Sequence, residues 1–354
     1  MTKRVAIICG GRSSEHEISC ISAGGVIAAI DRSLYEPILI GITKDGSWVL
    51  IPEGHPLTIT GGVLPEVPSG APKVVADVSG FSVEGKSLNI DLVFPLLHGP
   101  YGEDGTIQGL LETANIAYVG SGVLASAVAM DKSFAKPIFA SHGIDTAPGL
   151  VVKKSEWQSD SASITKAVES LGLPVFVKPA RGGSSRGTTK VKTIDALSAA
   201  ISEAHKFDPK AMVEKAISGA EIECAVLEID GKPQASVIGQ IRIDSKFEFY
   251  DFEAKYLDGA TSIELPAPIS EAAANQIKQS AIKAFLALGC SGLARVDFFL
   301  TKENQVIINE LNTMPGFTAT SVFPKMWAAS GVSYTEVITH LLKSAQSRTN
   351  GVLG

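Results

Sequence analysis

Four polar residues stand at period-two spacing within two apolar segments near the carboxyl end of the chain. Arg295 and Asp297 lie within LARVDFFL, and Glu310 and Asn312 lie within VIINELN. Both segments are rich in β-branched and aromatic residues and are close in sequence, which predicts a β-hairpin. Because side chains alternate between the two faces of a strand, the polar residues of each segment project from a single face.

The register of this hairpin decides whether the two polar pairs meet. With residues 303–304 as a two-residue turn, Asp297 lies opposite Glu310 and Arg295 lies opposite Asn312. Opposed residues share a face of the sheet, so all four side chains should lie together. The other face, expected to be core, carries Ala294, Val296, Phe298, Leu300, Ile307 and Leu311.

Two neighbouring carboxylates repel each other unless a cation neutralises them. Oxygen ligands without histidine or cysteine suit Mg²⁺, which takes few protein carboxylates and completes its shell with water and phosphates. The hairpin therefore indicates a magnesium site at Asp297 and Glu310. The structural alternative is an ion pair between Arg295 and Asp297 that leaves Glu310 to cap a neighbouring segment.

A glycine-rich loop, 178-KPARGGSSRG-187, lies between two predicted strands. Backbone amides in such a loop can bind phosphates, and Lys178 at its start can reach a negative charge. The loop lacks the Lys-Ser/Thr pair of a Walker A loop, and a strand rather than a helix follows it, so it is not a Rossmann turn. A flap over phosphates and an ordinary mobile hairpin are the two interpretations.

Two more loops follow predicted strands in the first third of the chain. In GGRSSEHEIS, Ser14 and Glu17 have the spacing of a helix capping box, whereas Glu15 lies where α/β folds bind ligands. Glu15 can hold a substrate ammonium group or interact only with the helix dipole. In PLLHGPYGEDGTIQG, His98 can bind a carboxylate or move a proton, or it is a hydrogen-bonded loop residue.

The composition limits the class of protein to which these residues belong. The chain has 354 residues, of which 45% are hydrophobic and 19% charged, as in globular proteins with roughly two or three domains. A net charge of −6 argues against nucleic acid as a partner. No apolar run is long enough for a membrane span, and the amino end enters a strand rather than a signal peptide. The four scattered cysteines fit a reduced, cytoplasmic compartment.

The elements that must position the loops alternate between strand and helix in the first third, which predicts an α/β layer with a parallel sheet. Residues 52–73, rich in Pro and Gly, are expected to form a surface loop and irregular hairpin. The remaining pattern predicts an α+β arrangement in the carboxyl-terminal part. The expected strands are 5–9, 36–42, 92–96, 175–179, 187–192, 211–216, 222–229 and 293–300, and the expected helices are 19–30, 131–141, 195–205 and 271–288.

Eight ordered motifs resemble those of the D-alanine–D-alanine ligases of the ATP-grasp superfamily, over about residues 4–345: GGRSSEHEIS, LLHGPYGEDGTIQG, MDK, VKPARGGSSRG, VEKAISGAE, EAKY, ARVDFF and NELNTMPGFTATS. The resemblance implies a three-domain ATP-grasp fold with ATP between the central and C-terminal domains. It implies an N-terminal parallel-sheet domain at 1–128 for the first substrate, a central domain at 129–213 with the flap, and a C-terminal domain at 214–354 with the metal site and a mobile loop.

The same resemblance implies ATP-dependent synthesis of D-alanyl-D-alanine for peptidoglycan, and hence for cell-wall biogenesis and cell shape. ATP phosphorylates the carboxylate of one D-alanine, and the amine of a second attacks the acyl phosphate. Asp297, Glu310 and Asn312 would hold two Mg²⁺ ions, or Mn²⁺ in their place, with a monovalent cation such as K⁺ as a further cofactor. Arg295 would neutralise developing oxygen charge, and the N–H of Gly316 would serve as an oxyanion-hole donor.

For the substrates, the resemblance implies that Glu15 and His98 hold the first D-alanine and that Ser321 binds the carboxylate of the second. Arg295 and Gly316 would also contact substrate. Glu15, Ser184 and Tyr256 would form a hydrogen-bonded triad over the substrates. Because ligases that make D-alanyl-D-lactate differ at the EAKY loop, Tyr256 favours an amine over a hydroxy acid as the second substrate.

For the nucleotide, the resemblance implies phosphate contacts from two lysines, an adenine contact from residues 214–217 and a ribose contact from Glu221. Lys255 would reach the γ-phosphate when the loop 250–262 closes, and such a lid excludes water from an acyl phosphate. The full nucleotide set is Lys132, Lys178, Ser184, Ser185, Glu214, Lys215, Ile217, Glu221, Phe249, Lys255 and Phe299.

One position departs from the family pattern, because Arg186 stands where a small apolar residue is expected. It is expected to face solvent, with a phosphate contact as the alternative. Two rival functions are a related ligase that makes D-alanyl-D-lactate or another dipeptide, and a nucleotide-binding regulator without catalysis. The retained metal ligands and phosphate lysines argue against the regulator. The expected partners are D-alanine, ATP and a second copy of the chain in a homodimer, with no nucleic acid and no membrane.

Overall fold

The computed structural model describes residues 2–243 and 261–348, and the expected roles of Phe249, Lys255 and Tyr256 lie outside these residues. In chain order the first part contains β1 (Lys3–Gly10), α1 (His16–Ala29), β2 (Tyr35–Ile42), β3 (Trp48–Leu50), β4 (Val74–Asp77), β5 (Gly80–Val83), β6 (Lys86–Ser87), β7 (Leu92–Pro95), α2 (Thr106–Thr113), β8 (Ala117–Tyr118) and α3 (Val123–Met130).

The main sheet of this part has the order β3-β2-β1-β7-β8, with β1 parallel to β2 and β7. The predicted parallel sheet is therefore confirmed. From Val5 onward β1 is buried, as expected of a central strand with helices on its faces. Residues 52–73 contain no named strand, and a Thr60–Val63 bridge closes their irregular hairpin, as the composition predicts.

The middle part contains α4 (Lys132–Ser141), β9 (Gly149–Lys153), α5 (Lys154–Ser159), α6 (Ser161–Leu171), β10 (Val175–Pro179), β11 (Thr189–Val191), α7 (Leu197–Ala204) and β12 (Lys210–Lys215). Its antiparallel sheet has the order β11-β10-β12-β9. Asp131 caps α4 by accepting a hydrogen bond from the N–H of Ser133, which explains why the predicted helix begins there. β11 is shorter than predicted.

The last part contains β13 (Gly219–Ile229), β14 (Lys232–Ile243), β15 (Thr261–Glu264), α8 (Glu271–Ala287), β16 (Leu293–Thr301), β17 (Val306–Asn312), α9 (Val322–Ala329) and α10 (Tyr334–Ser347). Its antiparallel sheet has the order β15-β14-β13-β16-β17. The expected amphipathic helix at 271–288 is α8, and Ser270 caps it through the N–H of Ala273. Among the described helices, none has the length and apolar character needed to cross a bilayer.

The β16–β17 hairpin pairs Asp297 with Glu310 and Arg295 with Asn312, as predicted, but the two-residue turn is wrong. The loop has three residues, 302–304, and ends with Asn304 in the left-handed conformation at φ 61°. A loop of three residues instead of two would by itself shift the strand pairing by one residue, because the length of a loop fixes the register of the strands that it joins.

A β-bulge at Asn309 restores the predicted pairing at the end of the hairpin that carries the polar residues. Between the turn and the bulge, Phe298 pairs with Ile308 and Phe299 pairs with Ile307. The prediction that Ile307 belongs to the main core face is therefore wrong. Val306 and Ile308 join the core cluster with Phe298 and Leu300.

One hydrophobic core joins the first part of the chain to its last helices. Phe317 is fully buried and lies 5.5 Å from Phe94 of β7, 5.8 Å from Phe323 of α9 and 5.6 Å from Tyr334 of α10, measured between ring centroids. The hydroxyl of Tyr334 donates to the carbonyl of Phe317 at 2.6 Å. The loop between β17 and α9 is thus held against the parallel sheet.

We expect Phe317→Ala to lower the free energy of unfolding by about 3–5 kcal/mol, because it opens a cavity where three aromatic rings meet. Denaturant titration followed by tryptophan fluorescence measures this change. Leu124→Ala, at a side chain that is 75% exposed, is the control and should change stability by about 0.5 kcal/mol or less. Equal effects of the two substitutions would contradict a shared core at Phe317.

Candidate active site

A cavity of about 780 Å³ lies between the central sheet and the carboxyl-terminal sheet. The wall combines the root of α4, the strands β10 and β12, the segment 214–223 and the polar end of the β16–β17 hairpin. The glycine-rich loop, here named the flap (residues 181–188), also contributes. The predicted nucleotide and metal residues on this wall are Lys132, Lys178, Ser184, Ser185, Glu214, Lys215, Ile217, Glu221, Asp297, Phe299 and Glu310.

A buried carboxylate on β12 binds two lysines at one end of the cavity. Glu214 is 4% exposed, and its Oε2 lies 2.6 Å from Nζ of Lys178. Its Oε1 lies 2.5 Å from Nζ of Lys136, which the sequence analysis missed. Lys136 stands one helical turn after Lys132 on α4, so the two lysines share a helix face. That spacing is the signal that would have identified it.

The two lysines and the single carboxylate of this cluster have unequal numbers of oppositely charged neighbours. Burial alone would raise the pKa of Glu214, but Lys178 and Lys136 together lower it to about 2. Burial lowers the pKa of Lys136 to about 8, because the single carboxylate of Glu214 is opposed by the charges of Lys178 and Lys132. Glu214 has two cations and stays ionised, whereas Lys136 has one anion and two repelling cations. We conclude that the cluster holds an excess of positive charge suited to a polyanion.

Lys132 connects the flap to the hairpin. Its Nζ lies 2.9 Å from Oε2 of Glu310 and donates to the carbonyl of Gly182 at 2.9 Å. Lys178 similarly donates to Oδ1 of Asn309 at 3.2 Å, so the bulge residue of β17 faces the cavity. Three lysines, Lys132, Lys136 and Lys178, therefore neutralise the carboxylates of Glu214 and Glu310.

The hairpin contains the ion pair between Arg295 and Asp297 that was the alternative to a metal site. Arg295 donates from Nε to Oδ1 and from Nη2 to Oδ2 of Asp297, both at 2.7 Å. Asn312 donates from Nδ2 to Oδ2 of Asp297 at 3.1 Å, and Arg295 also lies 3.2 Å from Glu223. Within residues 2–243 and 261–348, no group of three or more His, Cys, Asp or Glu residues is arranged to hold a metal. The predicted ligand set differs from such a group because its third member is an amide.

A short hydrogen bond connects the flap to the first loop of the chain. Ser184 donates from Oγ to Oε1 of Glu15 at 2.6 Å, across 169 residues of sequence. Ser184 and Ser185 both have left-handed backbone, with φ of 51° and 55°. The predicted contact between Glu15 and Ser184 is therefore formed. Arg186 is exposed at the flap, 5.9 Å from the ring of Phe207.

Two residues of the 97–104 loop bind both backbone polar groups of Met314. The ring nitrogen Nδ1 of His98 lies 3.1 Å from the carbonyl of Met314, and Nε2 lies 3.2 Å from Oγ of Ser22. The N–H of Met314 donates to Oε1 of Glu103 at 3.3 Å, and the N–H of Gly99 donates to Oε2 at 2.6 Å. Glu103 is a site residue that the sequence analysis missed, although it lies in the quoted motif.

Burial dominates the ionisation of this group of residues. It lowers the pKa of His98, against the opposing charge of Glu15. It raises the pKa of Glu103 to about 8, and Glu15 adds to that shift while two backbone N–H groups oppose it. The surroundings of Glu15 therefore favour the neutral forms of both His98 and Glu103.

Gly316 and Ser321 lie together in the loop that precedes α9. A Cβ on Gly316 would stand 3.3 Å from Oγ of Ser321, so glycine permits this close approach. Ser321 accepts from the N–H of Thr318 at 3.1 Å. Glu15, His98, Gly316 and Ser321 are not on the wall of the large cavity.

The large cavity lies between two antiparallel sheets and is edged by a glycine-rich flap, buried lysines and a hairpin that carries carboxylates. This arrangement is typical of ATP-dependent ligases of the ATP-grasp type. Two family models match the chain: the D-ala D-ala ligase N-terminus over residues 4–121 and the D-ala D-ala ligase C-terminus over residues 138–343. The chain belongs to the D-alanine–D-alanine ligase family.

Individual relatives agree with this assignment over the whole length. The D-alanine–D-alanine ligase of Paenarthrobacter aurescens is 48% identical over 364 residues, covering 99% of this chain and 96% of the relative. That of Mycobacterium tuberculosis is 48% identical and covers 99% and 97%. Among solved structures, the VanG D-Ala:D-Ser ligase of Enterococcus faecalis has a TM-score of 0.85 at 35% identity, covering 98% of this chain and 100% of its own. The ligase of Coxiella burnetii has a TM-score of 0.84 at 34% identity, covering 98% and 94%.

We expect Lys136→Met to raise the KM for ATP about tenfold, equivalent to about 1.4 kcal/mol. Glu214 would keep only Lys178 as its partner and would draw that lysine toward itself. Steady-state kinetics with varied ATP measure the change. Lys166→Met, at an exposed lysine of α6, is the matched control, and Lys136→Arg should retain most of the affinity. An unchanged KM in Lys136→Met would contradict the role of the cluster.

We also expect the stability difference between the wild type and Glu103→Gln to depend on pH. A carboxyl group with a raised pKa contributes its stability below its ordinary pKa and loses that contribution as pH rises toward about 8. The wild type should lose stability relative to the variant between pH 5 and pH 8, by at most about 1.4 kcal/mol per pH unit. Urea titrations across this range test it, with the exposed Glu53→Gln as control. A constant difference would be the contrary result.

Proposed function

We propose that this protein joins two molecules of D-alanine to D-alanyl-D-alanine at the expense of ATP. The γ-phosphoryl group of ATP transfers to the carboxylate of the first D-alanine and leaves ADP. The amine of the second D-alanine then attacks the acyl carbon, phosphate leaves, and the amine proton is lost. The product is a precursor for peptidoglycan. The hydrogen bond from Ser184 to Glu15 carries the proposal, because it joins the phosphate flap to the residue that would bind the first substrate.

For the nucleotide, Lys132 and Lys178 would bind phosphates, since both lie on the cavity wall and both are already paired with carboxylates that position them. The segment 214–217 would line the adenine and Glu221 would bind the ribose hydroxyls. Ser185 and Phe299 complete this wall. Phosphoryl transfer between two anions needs such neutralisation more than it needs covalent chemistry.

The donor set at the hairpin fits Mg²⁺, because Asp297 and Glu310 pair across two strands on the cavity wall and Asn312 lies against Asp297. All three supply oxygen ligands, which Mg²⁺ prefers. We propose that they hold two Mg²⁺ ions, or Mn²⁺, and that a monovalent cation such as K⁺ activates the enzyme. Bound there, the metal would neutralise charge on the triphosphate. Lys132 already contacts Glu310, so the same carboxylate would orient the lysine and the metal.

For the amino acids, Glu15 and His98 would hold the first D-alanine between the ammonium and carboxylate groups. The bidentate pair with Asp297 fixes Arg295, which would face the oxygen charge of the acyl phosphate. The N–H of Gly316 would donate to the oxyanion of the tetrahedral intermediate, and Ser321 would bind the second carboxylate. Their proximity in one loop supports these two roles.

The second substrate is the point on which relatives of this fold differ, since one similar structure is a D-Ala:D-Ser ligase. We propose D-alanine, on the basis of the EAKY motif and of the D-alanine–D-alanine ligases that match the full chain. We further propose three domains at 1–128, 129–213 and 214–354, a homodimer and a cytoplasmic location. Tyr256 would complete the triad with Glu15 and Ser184.

We expect the purified protein, incubated with ATP, Mg²⁺ and D-alanine, to release phosphate and form dipeptide in equal amounts. Phosphate is measured by a coupled colour assay and dipeptide by mass spectrometry. L-alanine should give neither product, and D-alanine with D-lactate should give no depsipeptide. Glu310→Gln should lose about 10²-fold or more in rate, because it removes a charged ligand of the metal that would neutralise the reacting phosphates. Dipeptide formation in the absence of ATP hydrolysis, or phosphate without dipeptide, would contradict the proposal.

A further inference from the structure

A buried carboxylate outside the proposed binding machinery holds the root of the flap. Asp208 is 2% exposed and lies in the turn that follows α7. It accepts three hydrogen bonds from Arg181: from the backbone N–H at 2.9 Å, from Nε at 3.0 Å and from Nη2 at 2.9 Å. The N–H of Lys210 donates a fourth at 3.0 Å. Arg181 is the first residue of the flap, so its backbone and its side chain are fixed by one partner.

Asp208 is the buried member of this ion pair, and Arg181 is the exposed member. The side chain of Asp208 is 1% exposed, whereas that of Arg181 is 52% exposed. Burial opposes ionisation of Asp208, yet Arg181 and the backbone N–H groups hold its pKa below the usual range. Bidentate pairs of this kind fix orientation as well as charge. The arginine can therefore be replaced without opening the core.

The residue beside Asp208 supports the other end of the flap. The ring of Phe207 packs under Gly187, where a Cβ would stand 2.5 Å from Cδ2 of the ring. Arg186 lies 5.9 Å from the same ring. The turn at residues 206–209 thus contacts Arg181 at the start of the flap and Gly187 near its end.

The middle of the flap is held from the opposite side. Ser184 donates to Glu15, and the carbonyl of Gly182 accepts from Lys132. The turn at 206–209 therefore holds the flap on one side, and the groups proposed to bind substrate and phosphate hold it on the other. A loop of glycine and serine has high conformational entropy, and it keeps one position only where such contacts fix it.

We propose that Asp208 is a positioning residue that, through Arg181, fixes the flap over the nucleotide and so couples ATP consumption to peptide bond formation. This inference rests on the proposed function and adds a residue to it. An acyl phosphate reacts with water as well as with an amine, so a loose flap would release phosphate without dipeptide.

Hydrogen exchange of the flap amides, followed by mass spectrometry on the full-length protein, tests the anchor without any catalysis. We expect Arg181→Gln to raise exchange at residues 182–188 about tenfold, because two hydrogen bonds to a carboxylate are lost. Exchange in α7 and β12 should stay unchanged. Glu203→Gln is the matched control, since it removes an exposed ion pair of 2.5 Å with Lys206 at the end of the same helix.

The coupling ratio tests the consequence. Arg181→Gln should release more phosphate per dipeptide than the wild type and should raise the KM for ATP about threefold to tenfold. Arg181→Lys should recover part of the loss, and Glu203→Gln should behave as wild type. Asp208→Asn tests the same pair from its buried side.

The outcomes separate the two proposals. Unchanged flap exchange, or exchange raised equally across the central sheet, overturns the anchor. Raised flap exchange with a wild-type coupling ratio overturns the catalytic consequence. If the wild type itself forms no dipeptide, the proposed reaction fails, while raised flap exchange in Arg181→Gln still supports the anchor.

Discussion

Three carboxylates on the cavity wall are held by cations, and these ion pairs organise the cavity. Glu214 meets Lys136 and Lys178, Glu310 meets Lys132, and Asp297 meets Arg295. An unpaired charge at any of these positions would be several kcal/mol less stable than in water. The pairs therefore fix side chains from five separate elements, α4, β10, β12, β16 and β17, before any ligand arrives. A polyanionic substrate finds cations already oriented, which is the condition for rapid phosphoryl transfer.

Hydrogen bonds to backbone groups and aromatic packing join the first and last parts of the chain. Met314 has its carbonyl bound by His98 and its N–H bound by Glu103, and Phe317 three residues later fills the core beside Phe94. The loop between β17 and α9 cannot move without breaking contacts to the parallel sheet. Gly316 lies inside this loop, so its N–H keeps a fixed position relative to Glu15 and His98.

The sequence predicted much of this arrangement, for reasons that particular residues show. The parallel sheet followed from the alternation of strands such as Val5–Cys9 with helices, and the predicted helix 131–141 corresponds to α4. The pairing of Asp297 with Glu310 was correct, although its derivation used the wrong turn. A longer loop and a bulge at Asn309 compensated each other, and neither leaves a period-two signal. The misplacement of Ile307 has the same cause.

What the sequence by itself determined is the set of motifs, the types of the strands and helices that it predicted and the family, because these depend on residue types at short spacing. Only the tertiary structure decided which distant residues meet. Nothing local to Glu103 or Asp208 shows that each binds a partner across the fold, since burial and pairing depend on how whole elements pack. The contact between Ser184 and Glu15 spans 169 residues and was expected from family resemblance alone. Residue types at short spacing identify the chemical groups of a site, whereas the packing of the sheets sets the positions of those groups.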